Sequence, residues 1–381
     1  MTFSSKAHSH LTDVITLQRG FDLPEVERRD GPIPVVASTG VVGFHAEKKV
    51  DGPGVVIGRS GSIGGGQYIA EDFWPLNTTL WVRDFKGHNP RFIYYLLRTI
   101  DFSPFNAGAG VPTLNRNHLN SINVPVFKPN QEHRIANILS SYDDLIENNR
   151  RRMALLEETA RQLYREWFVR LRFPGYEHTR ITRGLPEGWE RQRIGNIAEC
   201  VGGGTPSTYV SAFWEDGNIT WVTPTDVTRN RHLVLLDSEK KITEAGLQRS
   251  SAKLVPPHAV LMTSRASVGF FAVAGREVCT NQGFISIVPK EKNLSSYLLF
   301  HLNERVDEIR AIGSGSTYPE VSRGKFRDFE VLLPQPTLVS AFDEQATRLL
   351  QQIRNLKMQD HKLGAARDAL LPRLMSGEIT V

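Results

Sequence analysis

The stretch NQEHRIANILSSYDDLIENNRRRMALLEETARQLYREWF, residues 130–168, repeats apolar residues at alternating intervals of four and three. This spacing is typical of the seam of a coiled coil. Asn130 follows Pro129 and is a good helix N-cap, so we expect a helix of about 39 residues, roughly 58 Å long. The seam positions are Ile135, Leu139, Tyr142, Ile146, Asn149, Met153, Leu156, Ala160, Leu163 and Trp167.

The same pattern returns near the C-terminus, at a shift of 207 residues. Thr337 takes the place of Asn130 as the expected cap, and Gly377 is a natural stop. Pro372 is expected to kink or fray the last turn. The matching seam positions are Phe342, Ala346, Leu349, Ile353, Leu356, Asp360, Leu363, Arg367, Leu370 and Leu374.

A single helix of this length exposes its seam unless it finds a partner. The economical expectation is that the two helices pair with each other and run antiparallel, with the two halves related by a pseudo-twofold axis. The alternative is two separate amphipathic helices, each packed on its own domain. Asn149, Asp360 and Arg367 are polar seam positions, which fix the register, contact a partner or are simply tolerated.

The repeat extends beyond the helices. At the shift of 207, Pro112 matches Pro319 and Arg116 matches Arg323, without a gap to the end of the chain. Upstream, residues 60–64 resemble 265–269 at a shift of 205, and 33–39 resemble 219–225 at a shift of 186. The second half is therefore about twenty residues longer, and each half is a variable globular part followed by a part of constant length.

The repeat divides the chain into four parts: residues 1–129, a first globular domain; 130–170, a central helix; 171–336, a second globular domain; and 337–381, a C-terminal helix. Short apolar or alternating runs predict strands at 54–57, 80–82, 219–222, 259–262, 284–288 and 329–333. Residues 90–99 and 294–312 read as helical. We expect an α+β fold in which two β-rich domains are separated by two long helices that form an antiparallel coiled coil.

Composition narrows the class of protein. The 381 residues predict two or three domains, and a net charge of +5 with a pI near 9.2 leans mildly toward a polyanionic partner. Two cysteines are too few for a disulfide framework or a four-ligand zinc site. No signal peptide or membrane span is visible, so a cytoplasmic protein is expected.

Two pairs of loops combine small hydrogen-bond donors with arginine. Residues 58–62 and 263–267 each follow a predicted strand, and residues 106–113 match 313–318. Such donors suit contacts to phosphates or base edges, although each loop alone also fits a tight turn with a solvated arginine. Their recurrence in both halves favours function. The candidate DNA-binding residues are Arg59, Ser60, Ser62, Arg116, Thr225, Arg229, Arg231, Ser264, Arg265, Ser267, Ser316, Tyr318 and Arg323.

No catalytic motif is found. The sequence lacks a Walker phosphate loop, an H-E-x-x-H zinc motif, a G-x-S-x-G elbow and the Asn-Pro-Pro-aromatic run of adenine methyltransferases. Asp226, Glu239 and Lys241 resemble a metal-dependent nuclease site, but the first half has Gly40 where the second has Asp226. We therefore expect no catalytic residue and no metal ligand in this chain.

Several segments resemble the specificity subunits of type I restriction–modification enzymes. They are the Leu-Pro-Glu-Gly-Trp entry at 185–189, residues 238–247 and 260–269, Asn-Gln-Gly-Phe at 281–284, and the ending at 370–379. The resemblance covers essentially the whole chain, including the order of its two halves. The first half lacks the Leu-Pro-x-Gly-Trp entry, so its target-recognition domain is expected to be shorter.

The resemblance implies a division of labour. Each half contributes a target-recognition domain that reads one part of a split DNA site, and the paired helices act as a ruler. Two modification subunits that bind S-adenosylmethionine and methylate adenine N6 clamp onto this scaffold, and restriction subunits that use ATP and Mg²⁺ can join. This chain would then hold no cofactor and catalyse nothing. The alternatives are a stand-alone DNA-binding regulator, a protein-binding coiled-coil scaffold and a solitary nuclease.

Overall fold

The computed structural model describes residues 8–230, 232–315 and 319–381. The chain forms two compact units. Unit 1 comprises residues 1–147 and 361–381, and unit 2 comprises residues 148–360. None of the described helices is long and apolar enough to cross a membrane.

The first part of the chain contains nine strands and three helices among its described residues. The third helix continues into a π-helical turn at Arg165–Val169, and short 3₁₀ turns lie at Glu25–Glu27, Ser103–Phe105 and Arg116–Ser121. The elements are β1 His8–His10, α1 Leu11–Val14, β2 Thr16–Arg19, β3 Ile33–Ala37, β4 Gly40–His45, β5 Gly54–Gly58, β6 Gly64–Ile69, β7 Trp74–Pro75, β8 Thr79–Asp84, α2 Pro90–Arg98, β9 Asn123–Pro125 and α3 Pro129–Tyr164.

The remaining described residues form thirteen strands and seven helices, with 3₁₀ turns at Tyr176–His178 and Ser211–Phe213. The elements are β10 Ile181–Thr182, β11 Leu185–Pro186, β12 Glu190–Arg193, α4 Ile194–Ile197, β13 Ala198–Gly202, β14 Ile219–Val222, α5 Pro224–Arg229, β15 Val234–Leu235, β16 Lys240–Ile242, α6 Glu244–Gln248, β17 Leu254–Val255, β18 Val260–Thr263, β19 Phe271–Ala274, β20 Val278–Thr280, β21 Phe284–Pro289, α7 Leu294–Glu304, α8 Val306–Ala311, α9 Arg323–Arg327, β22 Glu330–Leu333 and α10 Pro336–Ser376.

The two units have similar sheet topologies, and each of the two main sheets of unit 2 has one more strand than its counterpart in unit 1. In unit 1, one sheet has the order β2-β8-β5-β6 and a second has the order β4-β3-β7, with β3 parallel to β7. In unit 2, the corresponding sheets are β13-β21-β18-β19-β15 and β16-β14-β20-β17, with β14 parallel to β20. The pairs β1–β9 and β12–β22 also correspond. The predicted α+β class and internal repeat are therefore confirmed, and all six predicted strands are present.

The extra length of the second half lies largely in one connection. In unit 1, β3 turns into β4 through two residues, Ser38 and Thr39. In unit 2, the path from β14 to β16 runs through residues 223–239, which include α5 and β15. A helix and a further edge strand thus replace a tight turn.

Both long helices begin one residue earlier than predicted. α3 starts at Pro129, and the Lys128 N–H donates to Gln131 Oε1 at 3.1 Å. α10 likewise starts at Pro336. Proline is favoured at the first helical position because its missing N–H has no partner there anyway. Asn130 and Thr337 therefore lie inside the helices, and their prediction as caps was wrong.

The ends of the predicted helices were less regular than the middles. α10 passes through Pro372 and ends before Gly377, whose φ of 75° and N–H bond to the Leu374 carbonyl at 3.1 Å close the helix. The stretch predicted as one helix over 294–312 is two, α7 and α8, which meet at Arg305.

The helices pair antiparallel within each unit. In unit 1, Ile135 and Leu139 near the start of α3 share a core with Leu374 near the end of α10. In unit 2, Phe168 just beyond the end of α3 packs edge-on against Phe342 at the start of α10, with ring centroids 5.1 Å apart. The expected helix-pairing positions are all buried or half-buried: Ile135, Leu139, Ile146, Phe342, Ile353 and Leu356 are buried, and Tyr142, Leu156, Leu163, Leu349, Leu363 and Leu370 are half-buried.

Candidate nucleic-acid interface

Several strand ends meet at one edge of unit 2. Gly202 at the end of β13 pairs with Ile285, and Thr263 at the end of β18 pairs with Phe284. Val222 at the end of β14 pairs with the last residue of β20. The connecting segments therefore lie side by side. We call residues 203–205, 223–225, 264–267 and 281–283 the loop edge of unit 2.

Hydrogen bonds tie these segments together. The Ser264 N–H donates to the Gly283 carbonyl at 2.8 Å, and the Asn281 N–H donates to the Val222 carbonyl at 3.0 Å. Gly203 lies so close to the next segment that a Cβ would be 2.0 Å from the Asn281 carbonyl oxygen. The edge is thus a fixed set of short loops, which can present side chains in a defined arrangement.

Residues 319–321, which directly follow the second predicted loop of unit 2 at 313–318, pack on the first loop. The Val321 N–H donates to the Ser264 carbonyl at 2.9 Å, and the Ala266 N–H donates to the Pro319 carbonyl at 3.0 Å. Arg265 Nε donates to Glu320 Oε1 at 2.8 Å. The structure therefore brings together two segments that lie about fifty residues apart in the chain.

Unit 1 repeats this arrangement, and its loop edge comprises residues 20–22, 38–39, 59–62 and 76–78. The Arg59 N–H donates to the Thr78 carbonyl at 2.8 Å, and the Leu114 N–H donates to the Arg59 carbonyl at 2.7 Å. The Gly61 N–H donates to the Pro112 carbonyl at 2.9 Å. These bonds match those of Ser264 with Gly283 and Val321, so Arg59 corresponds to Ser264.

The candidate residues differ in accessibility. Arg59 and Ser60 are half-buried, and Arg59 Nη1 donates to the Asn77 carbonyl at 3.2 Å. Arg231, Ser316 and Tyr318 lie outside the described residues. The exposed candidates are Ser62, Arg116, Thr225, Arg229, Arg265, Ser267 and Arg323.

Ser264 requires a correction. Its side chain is only 3% exposed, and its backbone N–H and carbonyl are both used between loops. A side chain this buried is not available for a DNA contact. Ser264 instead holds the loops together, and the neighbouring Arg265 carries the exposed positive charge.

The charged candidate residues differ in how firmly the surrounding contacts fix their positions. Arg229 lies 3.9 Å from Glu239, and both side chains are more than 70% exposed, so this ion pair is loose. Arg116 and Arg323 each begin a short helical turn, directly after Asn115 and Ser322, whose side chains accept a backbone N–H of that turn. Their exposed guanidinium groups occupy equivalent places in the two units.

The Asp226 carboxylate, which belongs to the nuclease alternative, makes hydrogen bonds to the protein itself. Asp226 Oδ2 accepts from the Thr223 N–H at 2.7 Å and its Oγ1 at 2.6 Å, and Oδ1 accepts from the Glu239 N–H at 2.9 Å. The carboxylate thus caps α5 and fastens the following loop. Over residues 8–230, 232–315 and 319–381, no group of three or more His, Cys, Asp or Glu side chains is placed to hold a metal ion.

The two cysteines are unsuited to nucleophilic chemistry. Both Cys200 and Cys279 are buried, and burial raises the pKa of Cys200 to about 11 and of Cys279 to about 12. The thiolate is the reactive form of cysteine, so both side chains stay protonated and inert near neutral pH.

Two amide side chains at the loop edges were missed as candidates. Asn77 and Gln282 occupy equivalent positions directly before Thr78 and Gly283. Asn77 Nδ2 donates to Asp22, and Gln282 Oε1 accepts from Thr205 Oγ1. Asparagine and glutamine can bond the edge of adenine in a bidentate fashion. The repeat itself was the available signal, because both residues lie just before the matching strands β8 and β21.

The sequence matches a known family in two regions. The family model described as the type I restriction modification DNA specificity domain matches residues 6–158 and 186–357. The chain is 34% identical over 169 residues to the type I restriction enzyme MjaIX specificity subunit of Methanocaldococcus jannaschii, covering 42% of this chain and 39% of that protein. It is 30% identical over 152 residues to the EcoR124I/EcoR124II specificity subunit of Escherichia coli, covering 38% and 37%.

The matched part therefore spans about two fifths of each of these relatives. A crystal structure of the type I restriction–modification system S subunit from M. genitalium is similar over 98% of both chains, with a TM-score of 0.64 at 15% identity. At that identity the likeness concerns the fold.

Proposed function

Because this chain belongs to the type I restriction–modification DNA specificity family, we propose that it is the sequence-recognition subunit of such a complex. One observation carries the proposal. The same pair of loops packs together in both units, but the exposed side chains on the two loop edges differ. Two recognition domains that share a fold but expose different side chains suit a split DNA site whose two halves differ in sequence.

The readers correspond to residues 1–129 and 171–336, and the helices of 130–170 and 337–381 serve as the ruler between them. Arginines at the loop edges supply phosphate and guanine contacts, and serine, threonine and amide groups supply weaker donors and acceptors. The proposed contacts are Arg59, Ser60, Ser62 and Arg116 in the first reader and Thr225, Arg229, Arg231, Arg265, Ser267, Ser316, Tyr318 and Arg323 in the second.

The chemistry belongs to partner subunits in this proposal. Two modification subunits bind S-adenosylmethionine and transfer its methyl group to adenine N6, and restriction subunits supply ATP- and Mg²⁺-dependent cleavage. This chain contributes no catalytic group. The complex acts in the cytoplasm, where it meets chromosomal and invading DNA.

The decisive measurement is the genome-wide pattern of N6-methyladenine in the host, with and without this gene. We expect one split motif, two short blocks with a fixed gap, to lose methylation completely when the gene is deleted. An unchanged pattern would contradict the role in methylation.

Two further measurements separate the alternatives. A methyltransferase that co-purifies with the chain supports the complex, whereas DNA binding without one favours a stand-alone regulator. Affinity for DNA that falls steeply with salt separates both from a protein-binding scaffold. Cleavage with Mg²⁺ that is lost in Asp226→Ala would favour the nuclease.

A further inference from the structure

Side chains from both long helices hold the segment that follows α5. Lys357 on α10 donates from Nζ to Asn230 Oδ1 and to the Val234 carbonyl, both at 2.7 Å. Glu157 on α3 accepts the Leu233 N–H and lies 3.6 Å from His232 Nδ1. All of these residues belong to unit 2.

These charges are removed from water. Glu157 is only 8% exposed, and burial lowers the pKa of Lys357 to about 8, against the opposing influence of the Glu157 and Asp360 carboxylates. A buried ion contributes less stability than a well-packed apolar side chain of the same size. An apolar pair could not make the directional hydrogen bonds that Lys357 and Glu157 make to this segment.

The segment is continuous with the loop edge. Asn230 ends α5, where its N–H bonds to the Val227 carbonyl at 3.2 Å, and its Nδ2 also donates to the Val234 carbonyl at 3.3 Å. The other end of α5 is capped by Thr223 and begins with Pro224, next to Gly283. α5, which carries Thr225 and Arg229, is therefore anchored both at the loop edge and on the two long helices.

We propose that Glu157 and Lys357 are positioning residues for DNA recognition by unit 2, because they hold Asn230 and residues 232–234 and thereby fix the orientation of α5 at the loop edge. The inference rests on the proposed function. In this proposal the two long helices act as a spacer and also position the DNA-recognition residues of unit 2. Unit 1 connects β3 to β4 through only two residues, so its reader does not depend on such a contact.

The test is the methylation motif of the host when the chromosomal gene carries Lys357→Met or Glu157→Gln. Met keeps the length of the side chain but removes both bonds, and Gln keeps the shape of Glu without its charge. We expect about a tenfold loss of discrimination at one half-site, the size expected for a lost charge-assisted bond. The other half-site and the gap should be unchanged.

Two controls define the result. Lys362→Met replaces an exposed lysine on the same helix and should leave the motif intact. Arg265→Ala identifies the half-site read by unit 2, and the relaxed half must be the same one. The melting temperature of each purified full-length variant shows whether the fold is retained.

The outcomes are distinguishable. If the wild-type gene specifies no split motif, the proposed function fails and this inference fails with it. If the wild type specifies the motif and both variants keep it unchanged, the positioning role alone is wrong. Equal loss at both half-sites with a lowered melting temperature would likewise overturn it, because that pattern belongs to a purely structural contact.

Discussion

His301 lies at the centre of a buried polar cluster where the end of α3 meets α7. Its Nδ1 is 2.8 Å from the Tyr164 hydroxyl and 3.1 Å from the Tyr297 hydroxyl, and Nε2 accepts from the Leu332 N–H at 3.4 Å. Burial, with a smaller contribution from the positive charge of Arg305, lowers the pKa of His301 to about 3. The imidazole is therefore neutral in the folded protein across the physiological range.

This burial predicts a pH-dependent stability. Between about pH 6.5 and 3 the unfolded chain binds a proton at His301 that the folded chain does not, so the free energy of unfolding must fall as the pH drops. We expect His301→Gln to remove this part of the pH dependence. Urea unfolding of the wild type and variant from pH 7 to 4 measures it. Parallel curves for the two proteins would contradict the prediction.

At the scale of elements, the polar seam positions have partners on the facing helix. In unit 2, Asn149 Nδ2 donates to Asp360 Oδ1 at 2.9 Å. In unit 1, Arg367 Nη1 donates to Asp143, whose other oxygen accepts the Tyr95 hydroxyl at 2.6 Å. Such pairs form in the observed alignment of α3 and α10, and we expect them to favour this register of the seam.

The contact between Asp143 and Arg367 should be strongly coupled. The two side chains are 26% and 15% exposed, so removal of either leaves a charge poorly solvated. We expect Arg367→Met alone to lower the free energy of unfolding by about 2 kcal/mol. The double variant Asp143→Leu, Arg367→Met should lose less than the sum of the losses of the two single variants, by about 1 kcal/mol or more. Denaturant unfolding of the four proteins in the cycle tests this. The exposed pair Arg348 and Glu344 provides a control with coupling below about 0.5 kcal/mol.

At the scale of the whole molecule, the ruler proposed for the long helices makes a geometric prediction. Four residues inserted within 135–167 add about 6 Å of helix, roughly two base pairs of B-DNA. We expect the gap of the methylated motif to lengthen while both half-sites stay the same. Methylome sequencing of the variant reads this directly. An equal insertion at the exposed 3₁₀ turn Tyr176–His178 should leave the gap unchanged, and a constant gap in both variants would refute the ruler.

The two long helices and six of the twenty-two strands of the described residues could be predicted from the sequence because they rest on local periodicity, and the repeat could be predicted because the two halves resemble each other at a long shift. An α-helix and a strand impose their 3.6 and 2 residue periods on neighbouring positions, so the pattern is visible without the fold. The paired loops were also predictable in kind, since they recur at the similar shifts of 205 and 207 residues. Helix caps failed because Pro129 and Pro336 compete with Asn130 and Thr337 for the start of the helix.

Features that depend on contacts between distant segments of the chain could be seen only in the tertiary structure. Packing between the loops buries Ser264, and strand pairing brings Asn77 and Gln282 to the loop edges. Lys357 reaches Asn230 across 127 positions of sequence. Nothing local encodes such contacts, because they arise only when the packing of sheets and helices brings those segments together. The sequence by itself determined two repeated globular parts and two long helices, and the tertiary structure decided how the helices pair and which side chains the loop edges present.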